Sequence, residues 1–157
     1  MIVPRRTLLV FALCLILLAT WTYQAEAAAP WFLIFHGKPL QKQMVLSDWY
    51  QNQKLMLSIT EVASISDRDL QERPYIEMAY FWGPEWARYL VDEGAIDKLQ
   101  PQDGNQHGRF YPAYGNAEAV VTFDQIPGSG PSKRRIKEEG LSILAKYGIP
   151  TRVEKGR

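Results

Sequence analysis

The stretch NQHGRFYPAYGN, residues 105–116, concentrates the side chains best suited to chemistry. The Arg109 guanidinium can clamp a carboxylate or phosphate at two points, His107 can give or take a proton near neutral pH, and Tyr111 offers a stacking face. Its glycines, amides and proline read as a long connection, and long connections in compact domains carry function disproportionately. The competing reading is packing: Phe110, Tyr111 and Tyr114 pin the segment to the core while His107 and Arg109 satisfy backbone carbonyls.

A second concentration is YFWGPEW, which places Tyr80, Phe81, Trp82 and Trp86 within seven residues. Burial accounts for most such rings. If Trp82 and Trp86 both reach the surface at the strand-to-helix turn, they form a platform for a sugar or a hot spot for a protein partner. The ligand-binding candidates are therefore Trp82, Trp86, His107, Arg109 and Tyr111.

Catalytic signatures are missing. His36 and His107 are the only histidines, they lie far apart, and no H-E-x-x-H pairing occurs. Zinc would need both histidines and a carboxylate such as Asp48, Asp103 or Asp124, so no metal or other cofactor is expected. Ser129 stands in turn chemistry rather than a G-x-S-x-G elbow. Glu77, Glu85 and Asp103 could be paired for sugar hydrolysis, but their spacing decides nothing. No glycine-rich phosphate loop appears.

The elements that must hold these residues begin after a leader. Arg5 and Arg6 precede an uncharged run from Thr7 to Ala25, and AEAAAP follows with small residues suited to cleavage after Ala27. The run reaches the roughly 20 residues that span a bilayer, so an uncleaved anchor is the alternative. Leu13 is too bulky for a lipoprotein signal at Cys14. Removing residues 1–27 takes two of the 18 basic residues and one of the 17 acidic ones, leaving residues 28–157 formally neutral. A neutral chain is a poor match for nucleic acid. The single cysteine lies in the leader, so residues 28–157 can form no disulfide and contain no thiol nucleophile. These features suggest an exported, disulfide-free protein of the bacterial periplasm or exterior.

Residues 28–157 are enough for one domain. WFLIFHG predicts a buried strand and MVL a short one. Ser47 or Asp48 is a candidate cap for a helix over 48–58, although Leu55, Leu57 and Ile59 alternate as a strand would. YIEMAYFW predicts a strand with Ile76, Met78, Tyr80 and Trp82 on one face and Tyr75, Glu77, Ala79 and Phe81 on the other. GPEWARYLVDEG predicts a short helix ending at Gly94, and EAVVTFD another strand closed off by IPGSGP. SKRRIKEEGLSILAKYG predicts an amphipathic helix capped by Ser132 and stopped at Gly148, with Gly140 marking the close approach of another backbone. Within it, Lys133, Arg134 and Arg135 read as a solvated face, with a weak docking site for an acidic partner or membrane surface as the alternative. IPTRV predicts a final edge strand.

The expected architecture is α+β: a single small domain whose mixed β-sheet, built from 31–36, 75–82 and 118–124, is covered by two or three helices. A β-sandwich with one C-terminal helix is the alternative. For function, the expectation is a noncatalytic binding or accessory protein with a protein or glycan partner, contacting membrane only if the leader is retained. The alternatives are a small exported hydrolase using His107 with a carboxylate or metal, and a membrane-tethered subunit of an envelope assembly.

Overall fold

The computed structural model describes residues 30–59, 61–124 and 132–155. The leader, its cleavage site, Cys14 and the turn around Ser129 lie outside the described residues.

Strand β1 (Phe32–His36) is apolar at consecutive positions because it is covered on both faces. It lies between β2 (Met44–Leu46) and β4 (Ile76–Phe81). With β3 (Glu61–Val62), β5 (Gln106–Tyr111), β7 (Val120–Phe123) and β8 (Ser132–Arg135) they form a seven-stranded sheet, ordered β2-β1-β4-β5-β7-β8-β3. Every pairing within it is antiparallel. The parallel component is a separate two-stranded ladder of β6 (Ala113–Tyr114) and β9 (Arg152–Val153), which gives the C-terminal segment a partner. The molecule is an α+β domain.

One sheet face carries Leu33, Phe35, Met78, Tyr80, Phe110 and Val121. Helices α1 (Trp49–Leu57) and α4 (Glu138–Lys146) cover it with Leu55, Ile143 and Leu144. Asp48 caps α1 by accepting from the Gln51 amide at 3.1 Å. Of the alternating leucines, Leu55 is buried and Leu57 exposed, so 54–57 is helical and the sandwich alternative loses its extra strand. Asn52, fully buried, donates to the carbonyls of Pro30, Trp31 and Leu46, fastening α1 to the first described residues.

The opposite face holds two separate apolar patches. Phe32, Ile34, Ala79 and Phe81 pack under Leu99 and the 3-10 turns of Pro84–Leu90, beside helix α3 (Glu93–Ile96). Tyr111 and Val120 pack with Ala63 and with Leu70 of helix α2 (Asp67–Gln71).

Four local expectations are corrected. Residues 106–111 are not a connection but β5, hydrogen-bonded on both sides near the middle of the sheet. Gly108 hides the strand, since it occupies an inward position with no side chain to signal it. A Cβ there would strike the Thr122 carbonyl of β7. Residues 132–135 are strand β8 rather than the first turn of a helix, so Ser132 caps nothing and α4 starts after Lys137. Gly94 lies inside α3 instead of ending the preceding helix. Gly148 does end α4, with φ +78°. The close approach at Gly140 comes from the Ser58 side chain at the end of α1 rather than from a backbone.

Candidate functional site

Directly opposed residues of antiparallel strands share a face, and β4 and β5 therefore line up their polar positions. The register places His36 against Glu77, Glu77 against Arg109, Arg109 against Thr122, and Thr122 against Lys133. This polar row crosses five strands on the face opposite α1 and α4. It runs between the two apolar patches that the other elements cover.

His107, Arg109 and Tyr111 stand at spacing two on β5, so all three project from this face. Arg109 is exposed and rests over a ring: its guanidinium carbon lies 4.6 Å from the centroid of the Tyr75 ring. A hydrogen bond to Tyr111 raises its pKa, with the nearby tyrosines and Asp124 adding to the effect. Tyr75 and Tyr111 are themselves in contact, with centroids 5.7 Å apart. No carboxylate among the described residues lies within ion-pair distance of Arg109.

Around Arg109 is an open concavity of about 370 Å³, bordered by Tyr75, Tyr111, Thr122, Asp124, Lys133 and Asp67. Lys133 is already engaged, with Asp67 at 2.6 Å and the Ile65 carbonyl at 2.9 Å. His107 shares the sheet face but does not border this space.

At the far end of the row, His36 Nδ1 lies 3.4 Å from Glu77 Oε2. Burial pushes the His36 pKa down; Glu77 opposes that shift and His107 reinforces it. Among the described residues, the carboxylate beside a histidine is thus Glu77, and the histidine is His36 rather than His107. Among the described residues, no three histidine, cysteine or acidic side chains converge as a metal site would require.

The two tryptophans do not make one platform. Trp82 continues the alternation of β4 onto the α1–α4 side and stacks on Tyr80, with centroids 6.2 Å apart and planes 15° apart. Trp86 lies in the other patch, edge-on to Phe81 at 4.8 Å. Asn105 Oδ1 accepts from both the Trp82 backbone amide (2.8 Å) and Trp86 Nε1 (2.7 Å), which makes these rings part of the anchorage of β5.

Other hollows are less suited to charge recognition. A larger one, about 560 Å³, opens beside the start of α4, but Arg135 there is paired with Glu118 at 3.3 Å and Arg152 donates to the Gly115 carbonyl. Arg73, only 5 % exposed, borders two further hollows and is committed through Nη2 to the carbonyls of Pro112 and Glu118.

Sequence reasoning located Arg109, His107 and Tyr111 but missed that Tyr75, Glu77, Thr122 and Lys133 join them. The signal was present in part. Alternation on β4 put Tyr75 and Glu77 on one face, and reading 106–111 with the same period would have set His107, Arg109 and Tyr111 beside them. Among the described residues, no helix is long and apolar enough to cross a membrane. Comparison with known proteins finds no matching family model, no matching curated protein and no matching solved structure.

Proposed function

We propose that the chain is an exported, noncatalytic binding protein whose ligand surface is the polar face of the sheet around Arg109, for ligands bearing a carboxylate or phosphate. The observation that carries this reading is the Arg109 guanidinium, resting against Tyr75 and Tyr111 with no carboxylate among the described residues within ion-pair distance. Preorganisation of this kind lowers the entropy lost when an anion docks, and a planar guanidinium favours two-point contact. A thermal-shift screen of small carboxylates, phosphates and uronic acids against the protein and its Arg109→Ala variant tests it. A compound that stabilises the first and not the second is expected. If every stabilising compound acts equally on both, Arg109 is not the binding group.

Export rests on the reading of residues 1–27 as a leader. N-terminal sequencing of protein recovered outside the cytoplasm should begin at Ala28. Recovery in the membrane fraction with the leader intact would favour the tethered alternative.

The His36–Glu77 pair supports a second reading, general acid–base hydrolysis, because a carboxylate can orient an imidazole for proton transfer. Turnover of nitrophenyl esters or glycosides that disappears in Glu77→Gln would select it over simple binding.

A further inference from the structure

The concavity at Arg109 contains four charges, and they are not equivalent. Lys133 and Asp67 neutralise each other at 2.6 Å, and the Ile65 carbonyl takes up Lys133 further. Arg109 and Asp124 remain. Neither has an ion-pair partner among the described residues, and they are not within 4.0 Å of each other. Two opposite charges facing one open space without closing on each other are poorly matched to a simple anion, which Asp124 would repel, or to a simple cation, which Arg109 would repel.

Their placement is set by the sheet. Arg109 opposes Thr122, and Asp124, just past the end of β7, follows two residues later, with its amide donating to the His107 carbonyl at 2.9 Å. Diagonal neighbours of this kind lie about 7–8 Å apart, with their Cβ atoms somewhat closer. The Arg109 side chain leans the other way, over Tyr75. A ligand joining the two charges therefore needs groups of opposite sign a few ångströms apart. Thr122 lies between them, and the Tyr75 and Tyr111 rings border the same space.

We infer that this concavity is a binding site for a small zwitterion of the α-amino acid type, its carboxylate taken by Arg109 and its ammonium by Asp124. The site rests on the reading of this face as a ligand surface and adds the chemical class. The Thr122 hydroxyl serves either end as donor or acceptor, and the exposed part of the Tyr75 ring accepts an apolar or planar side chain.

Backbone amide NMR of the purified chain tests this, with each of the twenty protein amino acids titrated separately alongside acetate and methylammonium. At least one amino acid should produce saturable shifts at Arg109, Thr122 and Asp124. Acetate and methylammonium should bind tenfold or more weakly. Arg109→Gln and Asp124→Asn should each weaken the amino acid at least tenfold while leaving amide shifts elsewhere unchanged, which shows that the fold persists. Acetate binding as tightly as every amino acid, with Asp124→Asn without effect, would overturn the zwitterion and leave an anion-binding face. Absence of any shift at these residues with all probes would overturn both.

Discussion

A half-buried imidazole beside a carboxylate changes stability with pH in a direction set by the larger influence. For His36 that influence is desolvation, which holds its folded-state pKa below the ordinary 6.5 despite Glu77. The unfolded chain then takes up this proton more readily. Its stabilising contribution is complete above pH 6.5 and is lost as pH falls through the depressed folded-state value. Imidazole NMR titration should place His36 below 6.5, and Glu77→Gln should lower it further by removing the one opposing charge. A midpoint at or above 6.5 in the unaltered protein would contradict the assignment. Arg109 behaves differently, because its contacts are exposed and a cation over a ring at such a site contributes only about 0.5–1 kcal/mol. Chemical denaturation of Arg109→Ala should accordingly show a loss within about 1 kcal/mol, too small to confuse with the loss of a ligand. The types of these residues were legible in the sequence; their neighbours were not, because Tyr75 and Lys133 approach Arg109 only through strand register.

Elements defined by apolar periodicity were legible, and those defined by close approach were not. α1 and β4 announced themselves by a cap and by alternation, whereas β5 was obscured by Gly108, whose role is to let the Thr122 carbonyl come near. Gly108→Ala should therefore destabilise the sheet by about 3 kcal/mol or more, beyond ordinary overpacking, since backbone rather than a side-chain tip is in the way. At the α1–α4 contact the obstacle is the Ser58 side chain, with Ile136 close behind. Although alanine favours a helix by about 1 kcal/mol over glycine, Gly140→Ala should cost about 1–3 kcal/mol. The double variant with Ser58→Gly should recover part of that loss. Additive effects of the two substitutions in urea unfolding would show that the contact is not the cause. β8 was misread because Lys133 to Arg135 carry helix-favouring side chains, while pairing with β7 and β3 overrode that propensity.

For the whole molecule, the fold class followed from composition and pattern: one domain's length, an uninterrupted buried strand, an amphipathic C-terminal helix, and no cysteine after Cys14. Stability then comes from two apolar faces rather than covalent bridges. The thermal midpoint of residues 28–157 should be the same with and without reductant, and a reductant-sensitive midpoint would reveal a covalent contribution that the sequence denies. What stayed hidden was the order of strands. Pairing partners far apart in the chain are chosen by the sum of all contacts, and no local pattern in Glu61–Val62 names Arg134 and Arg135 as its partners.

That order has a temporal consequence. β3 is made early, but it joins the sheet only through β8, and between β8 and β1 stand β7, β5 and β4. A growing polypeptide cannot complete this sheet until Arg135 has left the ribosome, because every shorter product lacks part of β8. Closing so distant a pair slows the search for the native state. The newly made chain is left pliable for longer than one built from neighbouring hairpins.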